Sequence, residues 1–497
     1  MGRVSAWLLA IAVLPVAVVA MGARAQENLG FQGNANLQRY QRQLDQIQRN
    51  QSFLVNTAVP VDQRLLIDYG GYVGFSYLSV DDTNNDNHVL RQTDAIGYLR
   101  LNLDDVHEFY VRGRLTYQDF NDGDNFDTTE GDELEKRIDR LYYRFDLRRA
   151  MAAYTGKHVD YDVALLGGRQ LTDWANGLVL VQTLDGVTIN LEYKSVDLQL
   201  LAATTPADMI DIDPNRPEFD HNTHRGFYGA MLSAQAGNHR PFLYFLSQQD
   251  NNHDYTTTII GNQNGAPAPI VTHFNYNSWY LGAGSSGTFN EHLAYGLEAV
   301  YEGGSSLSNS FETAGASLFP VPQQHDRIQA FAADLRIDYL LNDDHRTRLS
   351  VEGTAATGDD DRRVTNSTFG GNKPGTNDTA FNAFGQINNG LAFAPTISNL
   401  GILRVGASTF PAPNATLFRQ MQVGSDLFAY WKLSVDAPID EPALNERYIG
   451  FEPDLFVNWQ LTSDLSAAVR YGVFFPGDAL LDHQARQFLY GGLTLAF

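Results

Sequence analysis

From Val61 onward, apolar and polar side chains alternate with a period of two. Leu65, Ile67, Tyr69, Gly71, Val73, Phe75 and Tyr77 alternate with Leu66, Asp68, Gly70, Tyr72, Gly74 and Ser76. Ala95, Gly97, Leu99, Leu101 and Leu103 oppose Asp94, Tyr98, Arg100 and Asn102, and Phe109, Val111, Gly113, Leu115 and Tyr117 oppose Glu108, Tyr110, Arg112, Arg114 and Thr116. Leu141, Tyr143, Phe145 and Leu147 then oppose Arg140, Tyr142, Arg144 and Asp146. A strand sends successive side chains to opposite faces, so each stretch predicts a strand with one aliphatic and one polar face. Further strands are predicted near 161–171, 183–194, 196–205, 225–236, 240–249, 272–287, 290–303, 326–341, 345–357, 398–408, 422–436, 445–461, 463–475 and 486–497. That makes about 18, at lengths suited to tilted membrane-spanning strands. The last, RQFLYGGLTLAF, is apolar on the Leu489, Gly491, Leu493 and Leu495 side and ends on Phe497.

Connection lengths alternate as well. Asp104-Asp105, Lys194-Ser195, Ala236 to Arg240, Gly287 to Asn290, Leu341 to His345 and Thr462-Ser463 are short. The stretches 81–92, 120–135, 206–224, 250–271, 304–325 and 358–397 are long. Short turns on one side and long loops on the other are the arrangement of outer-membrane barrels, with the short turns in the periplasm. A soluble sandwich does not segregate loop lengths in this way. The connections 149–160 and 409–421 exceed the rule. The fold class is therefore all-β, a transmembrane antiparallel barrel occupying 59–497.

The segments ahead of the barrel differ from it. Residues 1–25 form a secretory signal peptide, with Arg3, an apolar stretch from Trp7 to Ala20 and the Ala23-Arg24-Ala25 cleavage pattern. Residues 26–58 form a periplasmic segment in which Leu37, Tyr40, Leu44 and Ile47 share one helical face. No other apolar run is long enough for a spanning helix. With no cysteine, disulfides cannot hold the exported chain. Closed β-pairing supplies the constraint instead, because an unpaired backbone group in lipid costs several kcal/mol. The 24 Tyr and 29 Phe suit the aromatic girdles of a barrel. A net charge of -23 excludes a nucleic-acid partner, which needs a basic footprint. It fits a barrel whose charge lies in lumen and loops, as does the mean hydropathy of -0.28.

The polar face lines the lumen. It carries Arg100, Arg112, Arg114, Arg140, Arg144, Arg336, Arg346, Arg348 and Arg470, with Glu108, Asp334, Asp338, Glu352, Glu452 and Asp454 on the same or neighbouring strands. Rings of Arg select anions, and acidic partners suit the planar guanidinium fork. The set reads as a ladder along which an anionic solute exchanges. These residues alternatively pair with one another and fill a solvated interior. Catalytic motifs of the HExxH and GxSxG types are absent, so the chain is not expected to be an enzyme. His221 and His224 have metal-like spacing in an Asp-rich loop. Asp81-Asp82 and Asp359 to Asp361 offer the oxygen ligands Ca²⁺ takes, without matching an EF-hand. No other cofactor is expected.

Several stretches together resemble the alginate-export family of outer-membrane barrels. They are Leu166-Gly167-Gly168-Arg169-Gln170 with Asp185-Gly186-Val187, then Arg348 to Asp361, Gly450-Phe451-Glu452-Pro453-Asp454-Leu455, and Tyr471 to Gly477. The resemblance covers roughly 60–497. It implies a monomeric 18-stranded barrel that passes an anionic polysaccharide through an Arg-rich constriction. It adds Arg169 to the pathway, although Val163 and Leu165 share that residue's face. It also implies outer-membrane lipid, the barrel-assembly machinery and periplasmic export proteins as partners. The alternatives are a porin for neutral or cationic nutrients, favoured by the acidic charge, and a surface-binding barrel plugged by the loop 358–397.

Overall fold

A computed structural model describes residues 64–83, 86–121, 133–209, 215, 223–252, 256–263, 266–314, 317–362 and 371–497. The signal peptide and the helical segment expected ahead of the barrel lie outside these residues, as do His221 and most of its loop. The strands are β1 (Leu65–Asp81), β2 (Asn87–Leu103), β3 (His107–Phe120), β4 (Glu133–Asp146), β5 (Tyr161–Asp173), β6 (Val181–Tyr193), β7 (Val196–Thr204), β8 (Arg225–Ala234) and β9 (His239–Asp250). There follow β10 (Thr256–Gln263), β11 (Ala266–His273), β12 (Tyr276–Thr288), β13 (Leu293–Leu307), β14 (Phe311–Ala314), β15 (Ser317–Pro320), β16 (His325–Leu340) and β17 (Arg348–Ala356). The last five are β18 (Leu400–Thr409), β19 (Met421–Lys432), β20 (Tyr448–Gln460), β21 (Leu465–Pro476) and β22 (Arg486–Ala496).

Eighteen of these strands form one antiparallel sheet in chain order, and β22 pairs with β1 to close it. At the seam, Phe497 and Gly71 exchange backbone hydrogen bonds of 2.9 and 3.0 Å. The other four strands are hairpins inside two long loops, β10 with β11 and β14 with β15. Closure leaves no strand edge, so the wall satisfies its own backbone groups.

The period-two pattern holds in space. Leu65, Ile67, Val73 and Phe75 of β1 are exposed on the outer face, as are Leu489, Leu493 and Leu495 of β22. Their inward neighbours Tyr72, Tyr490 and Thr494 are buried. The longest strands have 17 residues. At about 3.3 Å per residue and a tilt near 40°, that rises about 40 Å, beyond the roughly 30 Å hydrocarbon layer.

The turn between β2 and β3 is tight because Asp104 and Asp105 both have positive φ, 59° and 62°. That is the primed-turn geometry matching strand twist, and short polar side chains tolerate it. The over-long 149–160 connection is explained by helix α1 (Leu147–Thr155) at the short-turn rim. Asp146 caps its start by accepting from Arg149 N, and Gly156, with φ 68°, ends it. Tyr154 Oη donates to Asp104 at 2.9 Å, which seats the helix on the β2–β3 turn. Toward the long-loop rim, inward positions become apolar: Leu78, Val80 and Leu90 pack with Phe393, Phe428 and Phe474. Chain folded back into the barrel meets the wall there.

Candidate solute pathway

Two groups of arginines line the bore. β2 to β4 carry Arg100, Arg112, Arg114, Arg137, Arg140 and Arg144, and β16 to β21 carry Arg336, Arg348, Arg404 and Arg470. In the closed order of 18, β3 is third and β16 twelfth, half a circuit apart. Arg336, Arg348 and Arg404 therefore face the first group across the bore, while Arg470 on β21, seventeenth in the order, lies three strands from β2. Parity places them inward: Leu99, Leu115, Leu141, Leu335, Leu403 and Val469 beside them are exposed outward. On β4 a register shift opposite Arg112 and Gly113 brings Asp139 and Arg140 to the inner wall together.

Nearly every one of these guanidinium groups is held by an oxygen. Arg112 donates from Nε and Nη2 to the two carboxylate oxygens of Asp139, at 2.9 and 2.7 Å. Arg114 meets Asp94 at 2.8 Å, and Thr116 and Gln92 also donate to Asp94. Arg100 donates to Glu108 at 2.6 Å, and Tyr142 donates to the other Glu108 oxygen at 3.0 Å. Arg348 and Arg336 share Asp338, at 2.7 and 3.1 Å. Arg404 pairs with Glu352, and Arg470 donates to Asn458 at 2.7 Å. Two-point pairs of this kind fix the fork in one orientation.

Exposure divides the set. Arg112 and Arg114 are 4% and 3% exposed, closed into their ion pairs. The side chains of Arg144, Arg336 and Arg348 keep 42%, 40% and 38% of their surface, and Arg100 keeps 25%. These four lie within about five residues of the short-turn ends of their strands. Their guanidinium groups stay open on the inward face, whereas those of Arg112 and Arg114 are closed into the wall.

The long-loop side is narrowed by two inward segments. Residues 174–180 and 371–397 meet inside the barrel: Phe384 N donates to Val179 O at 2.8 Å and Val181 N to Phe384 O at 2.9 Å. Gly385 packs so tightly on Leu178 that a Cβ would lie 2.1 Å from the Leu178 carbonyl oxygen. Trp174, Leu178, Phe381 and Phe384 form an apolar core with Phe227, Tyr280 and Ala330 of the wall. Wall carboxylates hold the segments by their backbone. Glu452 accepts from Leu391 N, Ala392 N and Phe393 N at 2.6, 2.7 and 2.9 Å. Glu302 accepts from Asn382 N at 2.9 Å and Tyr276 Oη at 2.6 Å. Glu298 accepts from Asn176 N at 3.0 Å and Tyr244 Oη at 2.6 Å. Within the loop itself, Asp378 binds Arg362 with both oxygens at 2.9 Å, and Ser306 of the wall donates to Asp378 at 2.9 Å.

Several sequence expectations are thereby relocated. Arg169 is not in the lumen. It pairs in register with the outward Leu141, and it bonds Asp185 and Asp208, both at 2.7 Å. The G-R-Q and D-G motifs thus build an outward ion pair, as the shared face of Val163 and Leu165 indicates. Glu452 is inward but fully buried as a loop anchor, so solute does not reach it. Arg346 lies in the β16–β17 turn, with φ 49°, over the Phe410 ring at 3.9 Å. Asp454 and Glu352 face inward, 4% and 8% exposed. Sequence reading missed Arg404, which parity alone could have found, Arg137, which the β4 register shift turns inward against the parity of Leu141, and Glu298 and Glu302, whose partners are about 80 to 120 residues away. Among the described residues no group of three or more His, Asp or Glu is placed to hold a metal ion. Asp82 and Asp359 accept from backbone N–H groups of Asp86 and Asp361, at 2.7 and 2.8 Å.

The profile of the protein family described as "Alginate export" matches residues 76–491. A search of curated proteins found no match. Among solved structures, Pseudomonas aeruginosa OccK11 (OpdR) is similar at 12% identity and TM-score 0.51, over 89% of this chain and 100% of that one. Acinetobacter baumannii OccAB2 is similar at 11% identity and TM-score 0.50, over 88% and 98%. Pseudomonas aeruginosa OccK8 (OprE) is similar at 10% identity and TM-score 0.50, over 87% and 98%. At these identities the likeness is one of fold.

Proposed function

Because the chain belongs to the alginate-export family and forms an 18-stranded barrel of the bacterial outer membrane, we propose that it is a channel for an anionic exopolysaccharide or a related acidic solute, with the exposed lumen arginines as its contact points. Family and fold point to a transporter rather than an enzyme. The observation that carries the anionic reading is the placement of Arg144 on one wall and Arg336 and Arg348 on the facing wall. Each is about two-fifths exposed beside a carboxylate, Asp146 at 3.8 Å from Arg144 and Asp338 at 3.1 and 2.7 Å from Arg336 and Arg348. A polyanion there exchanges one guanidinium for the next, and acidic neighbours keep each contact weak enough to release. The reading includes lipid around the barrel, recognition of the strand ending on Phe497 by the assembly machinery, and periplasmic export proteins at the short-turn rim.

Ion selectivity of the refolded mature chain in planar bilayers tests this. At about 7 Å in water-like surroundings a charge pair is worth about 0.6 kcal/mol, roughly halved by 0.1 M salt. Replacing Arg144, Arg336 and Arg348 by Ala is expected to lower anion permeability roughly fivefold and to move the reversal potential toward cations. It should also weaken block by added oligouronates. An unchanged reversal potential removes these arginines from the pathway. A second reading, a plugged binding barrel, is favoured by the inward course of 371–397. It predicts no conductance in the wild-type chain.

A further inference from the structure

On the outer face, a groove of about 610 Å³ runs across β18 to β21. Its outward side chains include Ala407, Val423, Ser425, Val457 and Val469. Those on β18 and β19 are small, while Val405, Leu427 and Leu455 around them stand out into the hydrocarbon. The volume falls within the roughly 300–1,000 Å³ range of ligand pockets. The lining is almost wholly apolar. Water has few partners in such a groove, and an empty groove forfeits dispersion contacts along its apolar lining.

The position of the groove is defined. Its residues lie near the short-turn ends of β18 to β21, and Thr347, at the head of β17, forms its polar lip with Thr409 at 3.1 Å. In an outer-membrane barrel that rim faces the periplasm, so the groove opens to the inner, phospholipid leaflet. Two exposed cations stand at the lip. Arg346 precedes Thr347, and its guanidinium donates to the Arg419 carbonyl at 3.4 Å, which brings 419 beside it. Of the two carboxylates in this turn, Asp343 is engaged by Thr347 N and Oγ1, both at 2.7 Å, and Asp344 is exposed to solvent. Phe418 stacks on Trp459 at 5.0 Å alongside, an aromatic pair suited to the headgroup level.

We propose that this groove is a binding site for one glycerophospholipid of the inner leaflet, with an acyl chain along Ala407, Ser425 and Val457 and the phosphate at Arg346 and Arg419. It is separate from the solute pathway, since every outward side chain of the groove is on the far side of the wall from the lumen arginines.

Native mass spectrometry of the delipidated mature barrel in detergent, titrated with phosphatidylglycerol, tests the site. One adduct is expected to persist at collision energies that strip the remaining lipid. Ala407→Phe with Ser425→Leu fills the groove with residues a lipid-facing surface accepts, and should abolish that adduct. Arg346→Ala with Arg419→Ala should reduce its occupancy, about fivefold per arginine near a membrane surface. Heat-modifiable mobility on gels confirms that each variant folds. Equal retention in wild type and both variants overturns the proposal. So does a barrel dimer that the groove-filling pair dissociates, because the occupant would then be a second copy of the chain.

Discussion

Glu452 offers the sharpest perturbation of the inward loop. It is fully buried, and its two oxygens accept three consecutive backbone N–H groups, from Leu391, Ala392 and Phe393. Hydrogen bonds to a charged acceptor contribute about 1.5–3 kcal/mol each, and a buried donor left unpaired costs about 1–3 kcal/mol. Glu452→Ala strands all three donors, so it should weaken this anchor by roughly 3–9 kcal/mol. Glu452→Gln keeps one carbonyl acceptor and should cost roughly half as much. The other anchors remain: Glu302 at Asn382, Ser306 at Asp378 and Asp440 at Thr396. The loop should therefore open locally near 389–395 while the barrel stays folded. Single-channel recording reads this directly. Glu452→Ala should give larger or flickering openings, Glu452→Gln an intermediate trace, and limited proteolysis should cut within 389–395 only in the variants. The reasoning is refuted if Glu452→Ala folds normally yet matches wild type in conductance, noise and cleavage.

Other perturbations separate position from contact. Arg112→Ala strands the buried Asp139 carboxylate, so it should destabilise the barrel by roughly 3–5 kcal/mol, read as a lower urea midpoint, with little change in oligouronate block. Gly385→Ala drives a Cβ into the Leu178 carbonyl and should loosen the pairing of 174–180 with 371–397, measurable as faster amide exchange at Phe384 and Gln386. Burial pushes Asp440, outside the strands, up to about 6, with Glu441 adding to the rise. A carboxyl raised in the folded state stabilises most below its unfolded value near 3.8 and loses that contribution as pH climbs to about 6. The protection factor at Thr396, its exchange corrected for the base-catalysed rise common to all amides, should thus fall between pH 4 and pH 6, and Asp440→Asn should flatten that dependence.

The alternation of Leu65 to Tyr77, the alternating connection lengths and the terminal RQFLYGGLTLAF stretch were enough to read an 18-stranded barrel and its polar inner face. They suffice because a strand's period is local and a membrane tolerates strands only in a closed sheet. The same parity placed Arg100, Arg144, Arg336 and Arg348 in the lumen. It could also have turned Arg169 outward, where the family motif suggested a pathway role instead. What the tertiary structure alone decided is which arginines remain open. Asp139 closes Arg112 and Asp94 closes Arg114 because β2, β3 and β4 bring those carboxylates within 3 Å, a consequence of register. The roles of Glu298, Glu302 and Glu452 were likewise invisible along the chain. Their backbone partners come from loops that fold into the bore, and no local pattern encodes which N–H a distant carboxylate will meet. The lipid-side groove belongs to the same class: a dip made by small residues on adjacent strands, defined by packing across the sheet.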